Sequence, residues 1–243
     1  MYFKLIQKIN FINSEVRNIS NLCIVDFILA KFSILLIPFF LILRFTPNQI
    51  TILNFFVGIL SIYLINFRDE FFQYGILCFF LFLILDHIDG SVARYRKTKS
   101  FFGKFMDALF DAIIFGFFFI SITLYSYNLT GSQNILIFGI FSSSLMLIDI
   151  ITLDKFAALV RWSNEQNKKN LSPYIRKTKF FRFFASLRDI IFICVISLIF
   201  LTESLDYFKI SLLIIFLSMT ISSLMNVLMH MYFASKYLKF KKK

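Results

Sequence analysis

Cysteine, histidine and glycine are scarce here, with three, two and seven residues in a chain of 243. Cys23, Cys78 and Cys194 are scattered through apolar stretches without metal-ligand spacing, so they read as buried thiols rather than a thiolate metal site. The few glycines form no Walker-type phosphate loop, and no Ser-His-Asp arrangement can be argued from spacing. No internal repeat is present. His230, in the last apolar run, has no partner that the sequence identifies. Acidic residues are also few, 14 against 26 basic ones, giving a formal net charge of +12. Such a charge would suit a nucleic acid, but the cations fall in the segments between apolar runs, where anionic lipid is the simpler partner. The first twenty residues contain Asn10, Asn13, Glu15 and Asn18 and lack a continuous apolar core, which argues against a cleaved signal peptide.

What the chain has in excess is apolar length. Hydrophobic residues make up 58% of it, and 36 residues are Phe, a composition that marks a polytopic, all-α membrane protein. Long apolar runs cover residues 50–67, 71–88, 105–127, 135–153, 190–201 and 210–233, predicting six transmembrane helices, the fifth short unless it begins near Phe184. The run 32–45 is interrupted by Pro38 and bracketed by Lys31 and Arg44, so residues 20–45 read as an amphipathic interfacial or re-entrant helix. Three parts follow: an interfacial segment 1–45, a six-helix domain 46–235 and a basic tail 236–243. Lys and Arg concentrate after the second span (Arg94 to Lys104), after the fourth (Lys155 to Arg188) and in the tail (Lys236 to Lys243). By the positive-inside pattern these face the cytosol, with both termini. The basic stretch 161–188 is either a lid or acceptor-recognition element, or plain topogenic charge. The Phe-rich stretch 115–120 reads as packing or lipid-facing surface.

The chemistry lies between Asp86 and Asp111, in DHIDGSVARYRKTKSFFGKFMDALFD. Its spacing is D-x2-D-G-x2-A-R-x8-G-x3-D-x3-D, filled by Asp86, Asp89, Gly90, Ala93, Arg94, Gly103, Asp107 and Asp111. One Asp near a bilayer centre costs roughly 2.5 to 3.5 kcal/mol, so four together must be neutralised. On helices, Asp107 and Asp111 share a face, as do Asp86 and Asp89, so two facing helices would gather all four carboxylates. Mutual repulsion would then demand cations between them, and an oxygen-only ligand set suits Mg2+ or Mn2+, with room for two ions. Gly90 and Gly103 suit close backbone approach to a ligand, and Arg94 offers a planar fork for phosphate. Pairing of these acids with Arg94, Arg96, Lys97, Lys99 and Lys104 in a solvated loop would leave the glycines, and two acids inside an apolar helix, unexplained.

This spacing resembles the signature of the CDP-alcohol phosphotransferase (CDP-alcohol phosphatidyltransferase) family of integral membrane enzymes. Thr46-Pro47-Asn48-Gln49-Ile50-Thr51 and Arg188-Asp189 echo bacterial and archaeal members, so the resemblance covers roughly residues 45–235. It implies transfer of a substituted phosphate group from a CDP-alcohol, foremost CDP-diacylglycerol, to a small alcohol or lipid acceptor, with CMP leaving, in phospholipid or polar head-group synthesis. Carried over residue by residue, Asp86, Asp89, Asp107 and Asp111 would bind two divalent ions. Gly90, Ala93, Arg94 and Gly103 would line the cytidine and phosphate pocket, and Asp111 would be the general base. His87 occupies a variable position of the pattern and reads as a supporting residue rather than a ligand. By analogy the chain would be a homodimer in the cytoplasmic membrane. Asn54, Gly58 and Phe115-Gly116 resemble phosphatidylserine synthases whereas the 46–51 segment resembles inositol-type members, so the acceptor stays open, as does a soluble CDP-polyol donor. Readings of another class are a cation-pathway transporter, for which no paired broken helices are seen, and a catalytically silent lipid-binding relative, which the intact motif opposes.

Overall fold

The computed structural model describes residues 24–67, 69–98, 100–167, 190–198 and 204–237. Expectations for residues 1–23, for 168–189 with Arg188 and Asp189, and for the tail 238–243 lie outside those residues. Every regular element among the described residues is helical. Two compact units divide the chain, Met1–Leu129 and Thr130–Lys243.

The first unit begins with α1, Ile24–Ile42, which contains Pro38. Its apolar part, Phe27–Ile42, is shorter than a span. Ile37 and Phe40 of α1 enter a buried cluster with Ile50, Leu85, Ile88 and Val92. Arg44 ends the helix in the left-handed conformation, φ 58°. There Phe45 N–H donates to Phe40 O and Arg44 N–H to Leu41 O, which satisfies the last carbonyls of α1.

Helix α2, Pro47–Phe67, starts where it does because Thr46-Pro47-Asn48-Gln49 is a capping box. Gln49 N–H donates to Thr46 Oγ1 at 3.3 Å, and Thr46 N–H donates back to Gln49 Oε1 at 2.8 Å. One edge of α2 is buried, formed by Ile50 and then by Thr51, Asn54, Gly58, Ser61 and Ile65 at alternating three- and four-residue steps. A 3-10 turn, Asp69–Phe71, leads into α3, Phe72–Arg96. The two helices meet closely at Gly75, where a Cβ would lie 2.6 Å from Ile65 Cγ1 and 2.9 Å from its backbone nitrogen. Ser61 Oγ donates to Gly75 O across the contact at 2.7 Å. Small residues that admit backbone approach, joined by a hydroxyl bridge, are the usual means of helix association where water supplies no hydrophobic drive.

α3 does not stop at residue 88, where its apolar run ends. It continues to Arg96 because Ile88 and Val92 are buried in the cluster with α1 and α2, so packing carries the helix through the polar motif. It ends at left-handed Lys97, whose N–H and that of Thr98 bond Arg94 O and Ala93 O. Ser100 then caps α4, Phe101–Thr130, by accepting from Gly103 N–H at 2.9 Å. α3 and α4 pack through aromatic rings: Phe79 stacks on Phe118 with centroids 3.5 Å apart and Phe72 on Tyr125 at 4.0 Å. Phe118 and Phe119 are fully buried while Phe117 is exposed, so the Phe-rich stretch packs on one side and leaves the other open.

In the second unit, α5, Gln133–Asn167, runs on past residue 153. Lys155 and Arg161 therefore stand on this helix and not in a loop. Residues 190–198 are helical (α6), which is as much of the expected fifth span as is described. α7 covers Leu205–Tyr237. α5 and α7 are joined by Asn226 Nδ2 donating to Asp149 Oδ2 at 3.1 Å and by the Ser142 and Thr220 hydroxyls, 3.1 Å apart. His230 has partners after all: its Nδ1 is 2.7 Å from Asn226 O, and its ring packs edgewise on Phe156. Cys78 and Cys194 are half-buried free thiols. Among the described residues, five helices, α2 to α5 and α7, are long and apolar enough to cross a membrane, as a polytopic all-α protein requires.

Candidate active site

Asp86 and Asp89 stand on α3, and Asp107 and Asp111 on α4. Three of the four converge: carboxylate oxygens of Asp86, Asp89 and Asp107 all lie within 4.8 Å of one another. Asp89 is buried, while Asp86 and Asp107 are half-buried. Asp86 and Asp107 are near enough to share a hydrogen bond, and carboxylates at that range need a proton or a cation between them. Half-buried Asp111, one turn beyond Asp107, is not part of the trio. Compensating charge reaches Asp89 from Arg94 and Asp107 from Lys104.

The remaining motif residues support this centre. Arg94 Nη2 donates to Ser91 Oγ at 2.8 Å, and Ser91 Oγ donates to His87 O at 2.8 Å, which fixes the guanidinium against its own helix. A Cβ on Gly90 would lie 3.3 Å from Arg94 Nη1, so the absence of a side chain keeps the guanidinium in its place. Ala93 is half-buried one residue before Arg94, on the helix that carries the two acids. His87 Nδ1 is 3.4 Å from Asp86 Oδ2, a supporting neighbour of one acid. Gly103 has a neighbour in the protein itself, since a Cβ there would stand 2.9 Å from Asn48 Oδ1 and 3.0 Å from Ser100 Oγ.

A third helix completes the site, and the acid motif does not announce it. Thr51 Oγ1 on α2 donates to Asp89 Oδ2 at 2.6 Å, in a buried hydrogen bond across 38 residues of sequence. Asn48, one turn earlier, meets Gly103. The sequence signal for both is a polar stripe, Asn48, Thr51 and Asn54, at three-residue steps through an otherwise apolar span. Thr51 orients one Asp89 oxygen, as hydrogen-bonding partners of metal-ligating carboxylates commonly do.

The donor set answers which ion these residues suit. Three carboxylates on two helices, with no nitrogen or sulfur ligand among them, are hard-oxygen donors for Mg2+ or Mn2+. Arg94 stands on the same helix as Asp86 and Asp89, and its charge acts on Asp89.

Comparison with known proteins agrees with this chemistry. The profile of a family described as CDP-alcohol phosphatidyltransferase matches residues 44–177, more than half of the chain. The chain is 40% identical over 72 residues to the CDP-diacylglycerol--serine O-phosphatidyltransferase of Helicobacter pylori (strain ATCC 700392 / 26695), covering 29% of each protein. It is 32% identical over 75 residues to the bifunctional IPC transferase and DIPP synthase of Aquifex aeolicus (strain VF5), covering 31% of this chain and 17% of that one. The matched stretch thus spans less than a third of either relative.

Proposed function

Because the chain belongs to the CDP-alcohol phosphatidyltransferase family, we propose that it transfers a substituted phosphate from a CDP-alcohol, foremost CDP-diacylglycerol, to the hydroxyl of an acceptor, releasing CMP. The observation that carries this is the convergence of Asp86, Asp89 and Asp107 within 4.8 Å in a membrane protein. Those carboxylates, with Asp111, hold Mg2+ or Mn2+, two ions when the fourth acid joins. When bound, such ions offset the negative charge of the diphosphate and of the phosphoryl group in transfer. Gly90, Ala93, Arg94 and Gly103 line the cytidine and phosphate pocket, with Arg94 gripping phosphate oxygens. Asp111 accepts the proton of the acceptor hydroxyl as that oxygen bonds to the β-phosphorus. The bond from the β-phosphorus to the bridging oxygen breaks, and CMP leaves with the electron pair.

The name borne by the Helicobacter pylori protein favours a phospholipid product and serine as acceptor. A soluble CDP-polyol donor is the second reading. Clustering of Lys and Arg between the spans supports a site opening to the cytosol, a place in the cytoplasmic membrane and both termini inside. Family analogy supports a homodimer.

The test is CMP release by purified protein in lipid-detergent micelles with Mn2+ or Mg2+, across CDP-diacylglycerol and soluble CDP-alcohols, each with pooled polar acceptors. Metal-dependent release is expected, abolished by chelation. Asp111→Asn is expected to keep donor binding and lose turnover by about 100-fold or more, the low end for a positioned base. Equal activity in that variant removes the base assignment, and silence with every donor removes the transfer reading.

A further inference from the structure

His87 fills one of the two open positions between the motif acids Asp86 and Asp89, so the acid spacing assigns it no task. Its Nδ1 is buried and makes no hydrogen bond with any described residue. A buried ring nitrogen left in that state is costly, which means that its place is explained only by a partner it can reach. Among the described residues, Asp86 Oδ2 at 3.4 Å is the carboxylate oxygen within ion-pair range of it. Neighbouring side chains on a helix diverge by about 100°, so the imidazole comes this near only by turning back toward the acid. Facing a carboxylate, Nδ1 is stable as the N–H, since a lone pair there would meet another lone pair. The ring does not belong to the trio whose ligand atoms all lie within 4.8 Å of one another, so it acts on that centre through Asp86.

We propose that His87 is a positioning residue for the metal, its Nδ1–H donating to Asp86 Oδ2 and holding that carboxylate turned toward Asp89 and Asp107. This rests on the metal site of the reading above. A separation of 3.4 Å is slightly longer than a formed hydrogen bond, so an advance of a few tenths of an ångström closes the contact. Asp86 needs such a partner because it also faces Asp107, with which it is near enough to share a hydrogen bond, and a carboxylate drawn two ways has no single orientation. A carboxylate has lone pairs for a donor and for an ion at once, so the bond to His87 does not take Asp86 out of the ligand set. Asp89 is already held in this manner by Thr51 Oγ1 at 2.6 Å. His87 gives Asp86 the equivalent support from its own helix, and the two donors together fix both acids of α3, as partners behind ligating carboxylates commonly do.

The experiment titrates Mn2+ into the purified full chain in lipid-detergent micelles, reading free Mn2+ by electron paramagnetic resonance. Thermal unfolding without metal, and CMP release from CDP-diacylglycerol with pooled polar acceptors, are measured on the same samples. His87→Leu removes the donor and is expected to raise the Mn2+ Kd about tenfold, the low end for losing a partner behind a ligand. His87→Asn carries an N–H donor the same number of bonds from Cα as Nδ1, and is expected to keep the Kd within about threefold of wild type. His87→Gln carries its donor one bond farther out, where Nε2 stands, and is expected to bind Mn2+ as weakly as the leucine variant. The unfolding transition without metal is expected to stay close to that of wild type in all three, which a merely structural histidine would not allow. Should His87→Leu fail to fold, the asparagine and glutamine variants give the same reading between them. An unchanged Kd in a folded His87→Leu, or equal Kd values for His87→Asn and His87→Gln, overturns the assignment, as does absence of Mn2+ binding by wild type. Wild type that binds Mn2+, with the variants in the expected order, but releases no CMP removes the transfer reading alone and leaves the role of His87 standing.

Discussion

Thr51 shows how one hydroxyl shapes the chemistry of a carboxylate site. Its 2.6 Å hydrogen bond occupies one Asp89 oxygen and holds the group's orientation, so the site does not have to order Asp89 when an ion arrives. Thr51→Val keeps the branched shape and removes the donor. It is expected to weaken Mn2+ binding about 10- to 100-fold, the usual cost of losing a partner behind a ligand, while the thermal transition without metal moves little. Metal titration of the purified variant measures this, and an unchanged affinity would show that Thr51 serves the fold alone. At this scale the sequence made the acids readable, because carboxylates in apolar surroundings demand an explanation. It showed Thr51 and Asn48 only as part of a polar stripe without a stated role, because a polar residue in a span declares its purpose only once its partner is known.

At the scale of elements, the site depends on how closely α2 and α3 approach. Gly75 and Ser61 set that distance, and through it they bring Thr51 within reach of Asp89. Gly75→Ala would place a methyl 2.6 Å from Ile65 Cγ1 and 2.9 Å from a backbone nitrogen that cannot move aside. The expected cost is about 1 to 3 kcal/mol of stability, typical of overpacking in a tight contact. Thermal unfolding in detergent measures it, with loss of metal affinity accompanying the loss of stability; an unchanged transition would mean that the helices part easily. The apolar runs located these helices, but their ends were misjudged wherever packing or capping extended them. α3 passes residue 88 because Ile88 and Val92 are buried, and α4 begins at Phe101 because Ser100 caps it. Hydropathy measures preference for lipid, and a helix can outlast that preference when its polar continuation is packed against neighbours.

For the whole molecule, the arrangement of charge carries a prediction about orientation. Asp69 and Glu70, exposed at the turn between α2 and α3, lie at the opposite end of those helices from Arg94 and Ser100. If the basic segments face the cytosol, Asp69→Cys reacts with a membrane-impermeant thiol reagent added outside intact cells, and Ser100→Cys reacts only after the membrane is opened. Labelling in the reverse pattern would place the acid site on the outer face. Each native cysteine replaced by Ala in the background keeps the assay specific. The sequence by itself determined the solvent, the helical class and the acid motif, since run length, charge alternation and residue spacing are local properties that no folding can change. Tertiary structure alone decided which acids meet, that Asp86, Asp89 and Asp107 form the trio while Asp111 stands a turn away, and that α2 contributes a third wall. Spacing fixes the face of a helix on which a side chain lies. The distance and rotation between helices are fixed by contacts such as Ser61 with Gly75 and Phe79 with Phe118, which join residues far apart in the chain.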